Sequence, residues 1–228
     1  MPTHFHRDLE AIRKSLLGVG GLVEAQVERA ITALTERRKD LIEAVLEGDA
    51  PIDEAEVQVE EETLKTLALH QPVANDLRFL IAVLKMNRDL ERMGDLAVQM
   101  AECAAFVLRW PALPVVLDFT GLGRSVRQQV RAGLDALVRV DTVLARDVLE
   151  RDDLVEAQVH TISERLEELM QQDASALRRG IRLMQAARHL ERISDLATNV
   201  AEDVIFMVEG EVVRHRHAEL EPGGRDLV

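Results

Sequence analysis

Leu90-Glu-Arg-Met-Gly-Asp-Leu-Ala-Val-Gln-Met-Ala-Glu102 returns without a gap as Leu190-Glu-Arg-Ile-Ser-Asp-Leu-Ala-Thr-Asn-Val-Ala-Glu202. The two stretches share Leu, Glu, Arg, Asp, Leu, Ala, Ala and Glu in the same register. On an ideal helix Glu91, Asp95 and Glu102 fall at about 0°, 40° and 20°, one narrow stripe. Leu90, Gly94, Ala97 and Ala101 form an apolar seam beside it, which is the signature of an amphipathic helix facing a core. Self-similarity at this distance sets the architecture before any single motif is read.

Outward from these stretches the pattern is helical almost throughout. From Arg7 to Glu47 apolar residues recur at helical spacing, interrupted by Gly18, Gly20 and Gly21, which mark a kink or a close helix contact. Gly48-Asp-Ala-Pro51 is a stop-and-restart signal. A second helix is predicted over Ile52 to Ala68 and ends at Gln71-Pro72, since the residue before proline is pushed out of the helical region. A third runs from about Val73 to Leu108. Trp110-Pro-Ala-Leu-Pro114, followed by Gly121 and Gly123, reads as the linker. Three further helices are predicted over Leu122 to Glu150, Asp153 to Gln172 and Ala174 to Glu209. No segment shows strand alternation. The expected fold is all-α: two similar three-helix bundles related by internal duplication and a pseudo-twofold. Residues 1–111 form the first bundle, 112–211 the second, and 212–228 a frayed C-terminal tail.

The 228 residues carry a formal charge of −13 and are 47% hydrophobic, a balance that excludes wholesale disorder. The acidic excess argues against a nucleic-acid binder, which needs clustered Lys and Arg. With Cys103 the single cysteine, no intrachain disulfide and no Cys-based zinc site can form. The N-terminal stretch lacks the apolar core of a signal peptide. The most apolar runs, Ala104–Leu108 and Val204–Val208, fall far short of the ~20 residues that span a bilayer. A cytoplasmic protein that meets membranes only through partners is expected.

The chemistry-bearing residues are carboxylates. Three of them within a narrow arc repel one another, and an arrangement made twice is offset by cations, either arginines or metal. Glu56 and Glu60 on the second helix, and Glu156 and His160 on the fifth, are further i,i+4 pairs. If the helices of a bundle lie antiparallel, such pairs face Glu91/Asp95 and Glu191/Asp195 and build an oxygen-rich cage suited to Fe, Mn, Zn, Mg or Ca. No Glu-x-x-His occurs, which counts against an oxygen-activating di-metal bundle. Walker, Gly-x-Ser-x-Gly and His-Glu-x-x-His signatures are missing as well. His189 reads as a surface residue, Cys103 and the methionines as packing.

At these residues the chain resembles the PhoU-type phosphate-uptake regulators. The matches are Gly20-Gly-Leu-Val-Glu24, Gln71-Pro-Val-Ala-Asn-Asp-Leu-Arg78 and Asp89-Leu-Glu-Arg-Met-Gly-Asp95 with Ala101-Glu102. The last recurs as His189-Leu-Glu-Arg-Ile-Ser-Asp195, with Asn199 and Glu202. The resemblance implies a non-enzymatic cytoplasmic accessory protein, a negative regulator of phosphate uptake and of phosphate-starvation signalling. It implies two partners, the ATP-binding subunit of the phosphate ABC transporter and a sensor histidine kinase, and a homo-oligomeric, dimeric state. It also implies divalent or iron metal ions on Glu91 with Asp95 and on Glu191 with Asp195, completed by Glu56/Glu60 and by Glu156/His160. His160 stands where a carboxylate is expected, which would make the second site softer and more pH-sensitive. The alternative is a metal-carboxylate bundle with a hydrolytic or redox activity of its own.

Overall fold

A computed structural model describes residues 4–213, residue 152 by its backbone alone. Helix α1 (His4–Thr35) buries Ile12, Leu16, Val19, Val23, Val27, Ile31 and Leu34 along one stripe, the three-or-four spacing that keeps one face on the core. Four helices make each half. In the first, α1 is followed by the short α2 (Lys39–Glu47), then α3 (Asp49–His70) and α4 (Ala74–Val107). The second repeats them as α5 (Phe119–Arg139), α6 (Thr142–Glu150), α7 (Asp152–Gln172) and α8 (Leu177–Glu209). Each bundle therefore has three long helices and one short one, and no strand occurs among the described residues.

The short helices are where sequence and structure part. One continuous helix is expected from Arg7 to Glu47, yet the chain breaks at 36–38. Arg37 adopts a left-handed φ of 56° and Arg38 N–H donates to Ala33 O at 3.0 Å, a Schellman stop built without glycine. Val140 does the same between α5 and α6, with φ 54° and Asp141 N–H donating to Ala136 O at 3.0 Å. The side chain of Asp141 then caps α6 by accepting from Val143 and Leu144 N–H. Gly48 divides α2 from α3 as expected, and Gln71 in the left-handed region ends α3 before Pro72. A 3₁₀ turn over Ala174–Ala176 precedes α8, and Gly210, at φ 76°, ends it. Residues 214–228 of the expected tail lie outside the described residues.

The linker is strapped down rather than loose. Three arginines from three helix ends or faces donate to its carbonyls: Arg37 to Trp110 O at 2.7 Å, Arg179 to Pro111 O at 3.0 Å and Arg165 to Val116 O at 2.8 Å. One apolar core runs through both halves. At its centre α4 and α8 pack along each other, while α1 and α5 touch on one side.

The α1–α5 contact shows the twofold directly. A Cβ on Gly20 would stand 2.7 Å from Leu134 Cδ2, and a Cβ on Gly123 would strike Ile31 Cγ2. Gly20 and Gly123 occupy matching positions, as do Ile31 and Leu134, so each contact is the image of the other. Gln26 and Gln129 keep the same separation, and both are buried. Of the three glycines in α1, Gly20 is the close helix contact, and α1 runs without a break through all three.

Candidate functional site

The acidic face predicted on the first half exists between α3 and α4. Ile52 of α3 packs over Gly94, 3.3 Å from where a Cβ would stand, and Asn87 Nδ2–H donates to Glu56 O at 2.9 Å. These contacts fix the two helices so that Glu56 acts on Glu91 and Asp95 acts on Asp49 across the α3–α4 seam. Burial pushes the Glu91 carboxyl above the usual range, and the negative charges of Asp95, Asp53 and Glu56 push it further. Burial, Glu60 and Asp53 raise Glu56 in the same way, and burial, Asp53 and Asp95 raise Asp49. Each shift has desolvation as its largest cause and like charge as its second.

Sequence reading found Glu56, Glu60, Glu91 and Asp95 and missed Asp49 and Asp53. The signal was available: Asp49, Asp53, Glu56 and Glu60 lie at i, i+4, i+7 and i+11 on one helix, a continuous stripe. Glu102 lies further along α4, exposed, where its charge acts on His189 and Cys103. Among the described residues no group of three His, Cys, Asp or Glu side chains converges closely enough to hold a metal ion. The face is a diffuse field of carboxylates rather than a formed cage.

The second half departs from this pattern. Glu156 and His160 are exposed, and His160 Nε2 lies 3.2 Å from Glu164 Oε1 along the same helix, its side chain 73% exposed. The register that matches Gly20 with Gly123 also matches Ile52 with the buried Val155 and Val59 with the buried Ile162. Glu56 then corresponds to Val159, which is apolar and buried. Pairing Glu56/Glu60 with Glu156/His160 was therefore shifted by three residues, because the α1–α3 and α4 segments repeat at different separations. Glu191 is half-buried and Asp195 exposed on α8.

An ion pair that the sequence reading passed over joins the halves, with Asp203 buried and Lys85 half-buried. Asp203 Oδ1 accepts from Lys85 Nζ at 3.0 Å, and the same ammonium lies 4.6 Å from the Phe206 ring centre. His189, expected at the surface, is half-buried, and burial, with Arg192 nearby, holds its pKa below the ordinary value against the opposing charge of Glu102. Cys103 is a buried packing residue as expected, its thiol pushed up by burial.

With this geometry in place, relatives give it context. Residues 16–104 and 119–204 each match the PhoU domain. The phosphate-specific transport system accessory protein PhoU homolog of Pseudomonas putida is 39% identical over 212 residues, covering 92% of this chain and 83% of that one. The phosphate-specific transport system accessory protein PhoU of Escherichia coli is 32% identical over 211 residues, covering 92% and 88%. The crystal structure of PhoU from Pseudomonas aeruginosa superposes with a TM-score of 0.88 at 37% identity over 91% of this chain and all of that one. PhoU from Streptococcus pneumoniae gives 0.84 at 25% identity, covering 92% and 99%. Neither curated relative is named as a hydrolase or an oxidoreductase, so the alternative of an independent metal-dependent activity is not favoured. Two copies of the domain in one all-α chain, at these identities over nearly the whole length, mean that the chain belongs to the PhoU family.

Proposed function

We propose that this chain is a non-enzymatic adaptor that restrains phosphate uptake and phosphate-starvation signalling by linking the phosphate ABC transporter, through its ATP-binding subunit, to a sensor histidine kinase. The observation that carries the reading is the family match, since relatives aligned over 92% of the chain are named as accessory proteins of phosphate-specific transport. The fold suits the role: long rigid helices present matching faces twice, which is what a bridge between two larger partners requires. Among the described residues no helix is long and apolar enough to cross a membrane; the proposed site of action is the cytoplasmic side, through partners, as a homo-oligomer, a dimer. The α3–α4 carboxylate face is proposed as a weak cation site. Asp49, Glu56 and Glu91 are raised first by burial and then by neighbouring carboxylates, Asp53 acting on all three, and a divalent or iron ion would relieve that repulsion. Glu191 and Asp195 form the poorer site, because α7 sets no carboxylate at the place of Glu56.

The deciding experiment is binding of the purified chain to the purified ATP-binding subunit and, separately, to the kinase's cytoplasmic region, by calorimetry. Binding to both, with increased phosphate uptake on deletion of the gene under phosphate-replete conditions, supports the adaptor. A chain that binds neither would overturn it.

A further inference from the structure

A cavity of about 200 Å³ lies under the linker, walled by both halves. The end of α1 supplies Leu34 and Arg37, the linker Leu113 and Leu117, and the start of α8 Arg179 and Leu183. Leu34 is buried, and the other three leucines are half-buried against the core. The described lining residues include two guanidiniums and no carboxylate, in a chain of net charge −13. Arg37 Nη2 donates to Trp110 O and Arg179 Nη1 to Pro111 O, so consecutive linker carbonyls gather both cations on one stretch. A guanidinium carries five N–H donors. Each of these two places one hydrogen bond on the linker and, among the described residues, joins no ion pair. Hydrogen bonds from Ser175 come first in holding the nearby Asp173 carboxyl below its usual range, and the charge of Arg179 comes last.

The duplication supplies an internal control. The register that matches Gly20 with Gly123 matches Arg37 with Val140, and the register of Leu90 with Leu190 matches Arg179 with Phe79. Val140 and Phe79 both line a second cavity, of about 330 Å³, which is the image of the first. There the start of α1 takes the place of the linker, and the acids Glu10 and Asp76 join the lining. Arg37 and Val140 make the same left-handed stop, at φ 56° and 54°, so the backbone does not ask for arginine at that position. Nor does the helix packing ask for it at Arg179, since Phe79 serves in the image. The repeated fold therefore builds the cavity twice and gives an acid-free pair of cations only to the copy under the linker.

We infer that the linker cavity binds a small amphipathic anion, its carboxylate or phosphate head on Arg37 and Arg179 and its aliphatic chain along Leu34, Leu113, Leu117 and Leu183. The planar fork of arginine meets carboxylate and phosphate oxygens in bidentate fashion, which fixes the head. Size fixes the chain: an apolar cavity of about 150 Å³ holds a benzene ring, so this one accepts a chain of about six to eight carbons. The ligand would touch α1 of the first half, α8 of the second and the linker between them, and so hold the three together. This inference goes beyond the adaptor reading and does not rest on it, because binding is read on the chain alone.

The test titrates the full chain by calorimetry with octanoate, hexanoate, octyl phosphate, octanol and inorganic phosphate. The expected result is one octanoate or octyl phosphate bound per chain. Hexanoate should bind about tenfold more weakly than octanoate, since each buried CH₂ is worth a factor of about three to four. Octanol lacks the head and inorganic phosphate the chain, and each should be weaker by about tenfold or more. The tighter of the two heads identifies the source as a fatty acid or a phosphate monoester. Arg37→Gln with Arg179→Gln should lower affinity about tenfold or more. Ala112→Phe, which fills the rim of the cavity and keeps both arginines and their linker bonds, should do the same. A control on α5, Arg124→Gln with Arg131→Gln, should bind as wild type does. Helical circular dichroism verifies that each variant is folded, and if loss of the two arginines unfolds the chain, Ala112→Phe decides alone. Absence of saturable binding of either anion to wild type overturns the site. So does octanol as tight as octanoate, inorganic phosphate as tight as octyl phosphate, or binding that Ala112→Phe keeps in full.

Discussion

Lys85 and Asp203 join the two halves through a 3.0 Å ion pair in which the Asp203 side chain is 2% exposed and that of Lys85 37%. Asp203 sits on α8 among Ala201, Val204 and Met207, a stretch that otherwise reads as core. Removing one partner from such a pair leaves a charge in a poorly solvated place. Lys85→Met is expected to destabilise the fold by about 2–4 kcal/mol, below the full cost of a wholly buried pair because water reaches the ammonium. Lys85→Met with Asp203→Leu should recover most of that loss, since an apolar pair of similar volume replaces both charges. Urea melts of the two variants check this, and a double variant no better than the single one would deny that the pair is coupled.

Gly20 and Gly123 make image-related contacts of unequal tolerance. At Gly20 an added methyl meets the end of Leu134, a side chain free to swing away. At Gly123 it meets Cγ2 of Ile31, which is branched next to the backbone and cannot turn without moving α1. Alanine gains up to ~1 kcal/mol of helix propensity at either site, while overpacking costs about 1–3 kcal/mol. Gly20→Ala should therefore be near neutral and Gly123→Ala clearly destabilising. Equal thermal midpoints for the two would show that the α1–α5 contact is looser than the geometry states.

The acidic face predicts a pH dependence whose sign follows from the raised carboxyls. Glu91, Glu56 and Asp49 hold protons more tightly folded than unfolded. Their contribution is thus fully favourable below the ordinary carboxylate range near about pH 4 and is lost as pH rises through their raised folded values. In chelator, Glu91→Gln with Asp95→Asn should flatten that loss and stabilise the protein at neutral pH by a few tenths of a kcal/mol per like-charge pair removed. The same variant should carry less metal than wild type when both are purified without an affinity tag and assayed by mass spectrometry. Equal, negligible metal in both would reduce the face to a solvated acidic stripe.

Most of the helical frame is legible in the residues because amphipathic spacing, Gly48, Pro51 and Pro72 all speak locally. The breaks at Arg37 and Val140 are not legible, since neither residue favours the left-handed region and tertiary packing of α2 and α6 imposes it. The carboxylate stripe of α3–α4 is readable from periodicity alone. The failure of Glu156 and His160 to mirror Glu56 and Glu60 is not, because the repeat changes its separation between α3 and α4. A fixed offset read from Leu90 and Leu190 places His160 one turn away from its true counterpart. Lys85–Asp203 was invisible for a simpler reason: the two residues lie on different helices, and only the α4–α8 packing brings them together.

Association with the transporter should depend steeply on salt. The chain's −13 charge and the exposed arginines of α4 and α8 give local fields of both signs, so encounter depends on orientation as well as distance. Between about 50 and 300 mM salt the Debye length falls from roughly 14 to 6 Å. At the upper end only groups in near contact still attract, and the association rate constant should fall while dissociation changes less. Stopped-flow or surface-based kinetics with the ATP-binding subunit would read this directly. If Arg188→Gln with Arg192→Gln flattens the salt slope of the rate, the α8 arginines steer the encounter. A rate insensitive to both salt and these substitutions would place the contact on apolar helix faces rather than on charged ones.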